Sequence, residues 1–444
     1  MWGVIFSALT EALVLVGRYM RSRERLEVWQ GVAAADGLHV VESSGSWAWR
    51  PVLKAEAGPL EVRFEDAGRY GTRVVVVVPG PPGFWGVRLR REQGKPSRAP
   101  EIEIGDELFD STFYVLGPLP IVCTLLDAEV RRLLVRVSAE SRLEIAGGEL
   151  RAEMPETHLP SLLPLFIDIG RRFARHLDVP RRLAENARRD PNAGVRLRNL
   201  LLLAREVPGD PATVEALRTA CSDPSPEIRL RAAQELGAEG RDVLLELAQS
   251  ELDDTWNAQA VATLDKELPV DLASSILTHA LRRRRTLTAR ACLESLGRSG
   301  GPAVIATLAK VLAREQGELA AAAALALGTN GSADAEPPLI AALQQENVDV
   351  LIAAANALGQ VGTPAAVLPL KEAAERSPEL RRAAGQAIAV IQSRLPGASP
   401  GQLSLAAAEA GQLSLASAEV GQLSLATDRA GQLSLTGQPA VGQD

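Results

Sequence analysis

The sequence is poor in the residue types on which many protein functions depend. Aromatic residues make up only 4% of its 444 positions, which is few for a protein that stacks single-stranded bases on aromatic side chains. A formal net charge of −7 also argues against a general nucleic-acid binder. The three cysteines, Cys123, Cys221 and Cys292, lie far apart and form no CxxC pair. This spacing excludes a disulfide framework and a zinc knuckle, and it favours a reducing compartment.

Motifs that carry known chemistry are missing as well. The sequence has no GxxxxGK[ST] stretch, no HExxH pair and no GxSxG elbow, and its four histidines are scattered. In the densest acidic cluster, Glu101 and Glu103 would share one face of a strand, either as a catalytic pair or as a solvated edge. The solvated edge is the simpler interpretation. We therefore predict no catalytic residue, no metal site and no cofactor, and expect that the protein is not an enzyme.

The apolar N-terminus is slightly too short to cross a bilayer and carries Glu11 near its centre. Four arginines follow it, at Arg18, Arg21, Arg23 and Arg25. Charge after an apolar run is the reverse of a signal peptide, so secretion is not expected. Two interpretations stay open for residues 1–25. The segment is either a helix that lies in the membrane interface with its arginines at the headgroups, or a helix buried in the first domain.

The pattern of strand-like and helical runs over residues 26–155 predicts a separate α+β domain. A short helix should end at Gly37, and alternating or β-branched runs predict strands over 60–64, 73–78, 85–89 and 101–104. Asp127 is a plausible N-cap for a helix that continues to Ser138, and Gly147–Gly148 marks the turn of a hairpin. A further helix within residues 156–180 should connect this domain to the rest of the chain.

The second half of the sequence repeats at intervals of about 31 residues, which is typical of stacked helix pairs. Its apolar anchors are Leu203, Leu236, Leu264, Leu296, Leu327, Leu358 and Ile388. The positions four residues before the anchors hold small or modest side chains, which predicts close helix packing. One helix pair cannot bury its own apolar face, so neighbouring pairs must stack into a continuous core.

The segment DPSPEIRLRAAQELGAEG, which begins at Asp223, resembles the second helix of HEAT repeats of the phycobilisome-lyase-like type common in bacteria. This resemblance implies an α-solenoid that serves as an interaction surface. Arg196, Arg229 and Arg381 recur at one repeat position, so we expect each to bind the preceding turn. The repeats at Thr288 and Leu319 lack the leading Asp-Pro, which predicts irregular turns there. The segment from Glu103 to Gly117 resembles an uncharacterised bacterial family, and that resemblance implies no activity.

A ten-residue unit that begins GQLSL occurs four times after Pro400. Each unit has too little apolar area to offset the entropy of ordering, so we predict a disordered tail over 398–444. The repeated Leu-x-Leu is either low complexity without a role or a multivalent motif that docks into a partner.

Together these patterns predict a multidomain protein. An N-terminal helix over 1–25 precedes an α+β domain over 26–155, a connecting helix over 156–180, an all-α HEAT-like solenoid over 181–397 and a disordered repetitive tail. The fold favours a cytoplasmic scaffold that binds a protein partner, with a membrane surface as a possible second partner through residues 1–25. A bilin-lyase-like or other enzyme accessory and a HEAT-like nucleic-acid binder are the alternatives.

The resemblance also implies that the second helices line the concave side of the solenoid. Residues five positions before each anchor should face away from the core and form the partner-binding row. Its predicted members are Arg198, Arg231, Gln259, Ala322 and Ala353. The row changes from cationic to alanine along the chain, so a fitting ligand would be an amphipathic segment that is acidic and then apolar.

Overall fold

The structure is a computed structural model, and it describes most of the chain. The described residues are 2–44, 51–80, 83–91, 101–175, 178–251, 253–394, 403–405, 413–415, 424–425 and 433–434. The chain divides into two compact units, residues 1–237 and residues 238–444. The first unit contains an α/β domain and two helix pairs, and the second contains the remaining pairs.

An antiparallel sheet organises the first unit. In the described residues it has eight strands in the order β1-β2-β3-β4-β8-β7-β5-β6. The strands are β1 His39–Ser44, β2 Val52–Ala57, β3 Leu60–Asp66, β4 Thr72–Val77, β5 Arg88–Arg91, β6 Phe113–Leu116, β7 Arg142–Ala146 and β8 Glu149–Met154. Apolar residues alternate with charged residues along β3 and β8, so one face of the sheet enters the core and the other carries charges.

Five helices accompany this sheet. They are α1 Trp2–Ala35, α2 Glu107–Asp110, α3 Leu119–Leu125, α4 Ala128–Glu140 and α5 Leu159–Phe173. Helix α5 buries a row of apolar side chains, among them Leu163 and Phe166, in the core of the sheet domain. The helix that we predicted as a connector over 156–180 is therefore a core element of the α/β domain, because its apolar face covers the sheet.

Most local predictions for this domain are confirmed. Asp127 caps α4 by accepting a hydrogen bond from the N–H of Val130, and β7 and β8 meet at Gly147–Gly148. Both glycines have positive φ angles, which a two-residue turn of this kind needs. Two strand predictions are wrong in part. Strand β5 begins only at Arg88, because residues 84–86 form a 3₁₀ turn. Residues 101–104 form no strand, although the N–H of Ile102 bonds to the carbonyl of Val115.

Fourteen described helices follow as seven pairs. The first helices are α6 Val179–Arg189, α8 Pro211–Ala220, α10 Arg241–Gln249, α12 Val270–Arg283, α14 Pro302–Arg314, α16 Glu336–Ala342 and α18 Val367–Arg376. The second helices are α7 Ala193–Glu206, α9 Pro226–Leu236, α11 Asp254–Leu264, α13 Thr286–Ser299, α15 Gly317–Asn330, α17 Val348–Val361 and α19 Arg381–Ser393. Pairs α6 to α9 belong to the first unit, and pairs α10 to α19 belong to the second.

A polar ladder joins the α/β domain to its two helix pairs. The guanidinium of Arg131 donates two hydrogen bonds to the carboxylate of Asp190, at 2.9 and 3.0 Å, and a third to Asp106 at 2.8 Å. Arg196 in turn donates to the carbonyl of Asp190 at 2.9 Å and to the carboxylate of Asp223 at 2.8 and 2.9 Å. The Arg131–Asp190 pair thus connects the α/β domain to the first helix pair, and the Arg196–Asp223 pair connects the first helix pair to the second.

The predicted role of the repeated arginines is confirmed at two positions. Arg196 binds the carbonyls of its preceding Asp-Pro turn, and Arg229 donates to the carbonyl of Asp223 at 2.8 Å. The third prediction is wrong: among the described residues, Arg381 is exposed and donates no hydrogen bond to the turn before it. The reason is local, since Ser377 stands in the aspartate position and its hydroxyl bonds to Glu379 instead.

Small residues hold the later repeats together. A Cβ atom added to Gly328 in α15 would lie 2.8 Å from the Cα and Cβ atoms of Ala357 in α17. The same close approach recurs between Gly297 and Ala326, one repeat earlier. Only glycine permits such contact between neighbouring second helices. All seven residues at the position four before the anchors are buried, as predicted: Asn199, Ala232, Ala260, Cys292, Ala323, Ala354 and Ala384.

The tail prediction over 398–444 falls mostly outside the described residues. What is described there is four short strands within the repeated Leu-Ser-Leu motifs. Residues Leu403–Leu405 pair in antiparallel fashion with Leu413–Leu415, and Ser424–Leu425 pairs with Leu433–Ser434.

Candidate interaction surface

The predicted partner-binding row lies deeper in the helix stack than expected. Arg198, Arg231, Gln259 and Ala322 are half-buried, and Ala353 is only 4% exposed. The expectation that this row faces away from the core is therefore wrong at Ala353. Ala353 is buried because neighbouring second helices approach each other closely. This contact covers alanine side chains that sequence periodicity alone places at the surface. Whether these five residues bind a partner stays a prediction.

The outer face of the second helices lies at a different helical position. In the second unit, the residues two positions before each anchor are all exposed: Ala262, Glu294, Leu325, Asn356 and Gln386. We call these five residues the outer row. Leu325 is its one large apolar member and is 46% exposed. Three positions along a helix correspond to a rotation of about 300°, so the outer row lies about 60° from the predicted row and borders it on the helix surface.

Ion pairs fix the charged end of this surface. The guanidinium of Arg290 lies 3.0 Å from Glu294 and 3.0 Å from Glu318, which is on the next second helix. These groups are exposed, so the pairs contribute little to stability. The outer row then continues through Leu325 to the uncharged Asn356 and Gln386. Within the outer row, the charge thus lies at Glu294 on α13, and the row is uncharged at Ala262 on α11 and from α15 to α19.

The buried thiols are unsuited to chemistry. Burial raises the pKa of Cys123 to about 11 and the pKa of Cys292 to about 12, so both stay protonated and weakly nucleophilic at neutral pH. Within the described residues, no cluster of three or more His, Cys, Asp or Glu could hold a metal ion.

The acidic cluster before β6 has a structural role. Asp110 accepts hydrogen bonds from three successive backbone N–H groups, those of Ile104, Gly105 and Asp106. Asp106 caps the next short helix and also binds Arg131. Glu101 and Glu103, which we considered as a catalytic pair, are both exposed.

The run of arginines over 282–285 lies at a helix end. Helix α12 ends at Arg283, and Arg284 adopts the left-handed conformation that terminates it. Arg285 then donates to the carbonyls of Ser250 and Glu251 in the previous repeat. Thr288 replaces the missing Asp-Pro contact by bonding to Asp254, with its hydroxyl at 2.6 Å from the carboxylate. Trp256, eight residues before the anchor Leu264, is half-buried.

Helix α1 is continuous from Trp2 to Ala35, which corrects the prediction of a separate short helix before Gly37. Its C-terminal half is anchored to the domain. The indole of Trp29 is buried and donates to the hydroxyl of Thr72 at 2.8 Å, and Arg25 forms ion pairs with Asp66 and Glu156. Arg25 is therefore bound to protein carboxylates, and so it does not have the headgroup role that the interfacial interpretation gives to all four arginines.

The turn of α1 from Leu13 to Val16 is exposed on every side. Leu13, Val14, Leu15 and Val16 are consecutive and all exposed, and Tyr19 and Met20 follow them. Four consecutive residues cover a full helical turn, so the alternative of a helix buried in the first domain is wrong for this stretch. Across the described part of the chain, no helix has both the length and the apolar character needed to span a membrane.

Comparison with known proteins identifies the repeats. A family model described as HEAT repeats matches residues 180–265 and 310–389. No curated protein matches the chain. One similar solved structure is human deoxyhypusine hydroxylase in complex with glycerol, at 17% identity and a TM-score of 0.23, with 48% of this chain and 95% of that chain covered. Another is an engineered protein from the Northeast Structural Genomics Consortium, at 20% identity and a TM-score of 0.29, with coverages of 40% and 96%.

The stacked helix pairs and the matched residues define an α-solenoid. The helices over 180–265 and 310–389 match the HEAT-repeat model, and the solenoid follows an antiparallel α/β domain in the same chain.

Proposed function

We propose that this protein is a non-enzymatic cytoplasmic adaptor that binds a protein partner on the outer row of its second helices. HEAT repeats generally mediate protein–protein interactions, and their extended stacks present long binding surfaces. The observation that supports this surface most is the exposed Leu325, which lies between the polar side chains of Glu294 and Asn356. An apolar anchor inside a polar rim is typical of protein interfaces. A partner segment with one apolar anchor would fit it.

A matched pair of substitutions tests this proposal. Leu325 in α15 and Leu368 in α18 are 46% and 45% exposed, but they lie on a second and a first helix respectively. Leu325→Glu should abolish capture of the native partner, because a charge cannot be buried in an apolar contact without large cost. Leu368→Glu should leave capture unchanged. Equal capture by the two variants, with unchanged melting temperatures, would contradict the proposed surface.

A membrane surface is a second candidate partner, because the exposed apolar turn of α1 precedes three exposed arginines. Arg18, Arg21 and Arg23 follow Leu13–Val16 within three turns of helix. An apolar helix end with basic residues beside it suits the boundary between acyl chains and anionic headgroups. The full-length protein should co-sediment with vesicles that contain phosphatidylserine.

The control for this second candidate is an apolar side chain elsewhere in the same unit. Val14→Glu together with Leu15→Glu should release the protein from the vesicles. Val41→Glu, at a position that is 58% exposed on β1, should not. No sedimentation of the unmodified protein at low salt would exclude membrane binding by α1.

The finer assignments rest on sequence resemblance alone. The phycobilisome-lyase-like type, the role of an enzyme accessory and that of a nucleic-acid binder stay predictions. Binding of duplex DNA whose affinity falls steeply with salt would favour the last of these over the adaptor.

A further inference from the structure

The charged face of the sheet forms a concavity that the adaptor proposal does not use. Strand register aligns charged residues across this face, as in the row Glu65, Arg73, Glu153 and Arg142 on β3, β4, β8 and β7. A cavity of about 1100 Å³ lies over these strands. We call this concavity the charged basin.

Ion pairs neutralise one side of the charged basin. Arg63 and Arg151 both bind Glu149, with N–O distances of 2.7 and 2.6 Å. Arg73 lies 2.6 Å from Glu153 and 3.5 Å from Glu65, so three arginines face three carboxylates on this side. Each carboxylate is less exposed than a typical surface group, so these cross-strand pairs are well formed and order the sheet face. This side of the basin offers no excess charge to a ligand.

The other side carries arginines without carboxylate partners. Among the described residues, no carboxylate oxygen lies within 4.0 Å of the guanidinium of Arg90 or Arg142. Each guanidinium instead lies over a tyrosine ring, Arg90 at 5.1 Å from the centroid of Tyr114 and Arg142 at 4.6 Å from that of Tyr70. A ring face holds a guanidinium in position without using its whole N–H edge. Arg142 also acts on the Tyr70 hydroxyl, and its remaining N–H groups stay available for an anion.

Tyr70 connects the charged basin to a neighbouring hollow. A second cavity of about 550 Å³ is lined by Arg69 and Tyr70 and shares Ser141, Arg142 and Glu153 with the basin. Arg69 lies over the Tyr70 ring at 4.7 Å and donates to its hydroxyl at 2.5 Å. This hydrogen bond lowers the pKa of Tyr70. Arg142 therefore lies where the two cavities meet, with a second cation close by.

We propose that the charged basin binds a phosphate-bearing anion, which Arg90 and Arg142 hold through their N–H groups. Apolar side chains line most small-molecule pockets, but charged residues line this one, so the ligand must itself be charged. Two unneutralised guanidiniums favour an anion with more than one negative charge. Guanidinium groups bind phosphate oxygens in a bidentate fashion, and phosphate carries that charge in the smallest volume. The source is either a free oligophosphate or the phosphorylated headgroup of a lipid.

Titration calorimetry of the full-length protein with inorganic pyrophosphate tests this inference. We expect saturable binding that weakens as salt increases. Arg90→Gln and Arg142→Gln should each weaken it about tenfold, the effect of losing a charge-assisted hydrogen bond. Glu144→Gln should tighten binding, because Glu144 lines the basin and lies opposite Arg90 in the strand register.

Arg132→Gln is the matched control, since Arg132 is an exposed arginine on α4 outside the basin and pairs with Glu129. It should leave pyrophosphate binding unchanged. Equal affinity in the Arg142→Gln and unmodified proteins, an equal loss in Arg132→Gln, or no saturable binding at low salt would overturn the proposal. Circular dichroism identifies any variant that fails to fold, and Arg142→Lys, which keeps the charge but loses the bidentate geometry, then replaces Arg142→Gln. Tighter binding of inositol trisphosphate than of pyrophosphate would assign the site to a lipid headgroup, and the reverse to a free phosphate.

Discussion

The helix pairs of the first unit and the later pairs of the second unit stack at the same repeat length with different chemistry. In α6 to α9, buried and half-buried ion pairs such as Arg131–Asp190 and Arg196–Asp223 join successive elements. In α13 to α19, glycine and alanine let the second helices touch, as at Gly328 and Ala357. Successive elements of the same periodic core are therefore joined in two ways. A polar joint consists of ion pairs, and a steric joint consists of close contacts between small residues.

The two joints differ in what a single substitution can do to them. Removing one partner of a buried ion pair leaves an uncompensated charge, whereas adding a methyl group to a tight contact forces the helices apart. The first kind of joint should respond to pH, and the second should not. The following predictions test this difference, beginning with the largest expected effect.

Arg131→Ala should cause the greatest loss of stability. The side chains of Arg131 and Asp190 are only 4% and 1% exposed, so the substitution leaves a buried carboxylate without its cation. Removal of one partner of such a pair costs about 3–5 kcal/mol. Chemical denaturation of the full chain should show the first unit unfolding at much lower denaturant concentration. A loss below about 1 kcal/mol would mean that the ladder is not a structural joint.

Gly328→Ala should destabilise the second unit by about 1–3 kcal/mol, since its new Cβ would lie 2.8 Å from Ala357. The matched control is Gly385→Ala in α19, where a new Cβ would meet no atom within 4 Å. That change should stabilise the helix by about 0.5–1 kcal/mol, because alanine has the better helix propensity. Thermal unfolding of both variants gives the comparison. The steric account of this joint fails if the two substitutions shift the melting temperature in the same direction.

The polar joint should weaken in acid. Burial favours a raised pKa for Asp223, but the hydrogen bonds from Arg196 and from the N–H of Ser225 outweigh it, and the pKa lies below its ordinary value. A depressed pKa adds stability that is complete above about pH 4 and is lost as the pH falls through the folded-state value. Melting temperatures measured from pH 7 to pH 2 should show this loss for the first unit, and Asp223→Asn should reduce it. An acid response that Asp223→Asn does not alter would locate the titrating groups elsewhere.

The smallest effect is expected from the half-buried arginines of the predicted binding row. Arg198→Glu together with Arg231→Glu should slow association of an acidic partner and reduce the salt dependence of the rate, because outer charges mainly steer encounter. Stopped-flow or surface binding kinetics would measure it. An unchanged association rate would restrict binding to the second unit and its outer row.

Part of this fold follows from the sequence alone. Periodic anchors and small residues specify the helix pairs, since a buried stripe leaves the same pattern in every repeat. The Asp-Pro turns and their arginines predict the bonds of Arg196 and Arg229 to the turns before them. Alternating strands and the Gly147–Gly148 turn predict the hairpin of β7 and β8.

Other features depend on long-range packing that no local pattern records. The order of the eight described strands depends on how the sheet packs against the helices that cover it. Ala353 looks like a surface residue until the neighbouring helix is placed. Arg131 gives no signal of its own, because its partner Asp190 lies 59 residues away. The expectation that the predicted row faces away from the core therefore failed at Ala353, whereas partner binding by its five residues stays a prediction.

Site-specific photocrosslinking in the native cell tests the central claim most directly. A photoreactive amino acid placed at Leu325 on the second helix should crosslink to one defined protein, and the same residue at Leu368 on a first helix should not. Two results would contradict the claim that the outer row of the solenoid is the binding surface. One is crosslinking to many proteins from both positions, and the other is crosslinking from Leu368 alone.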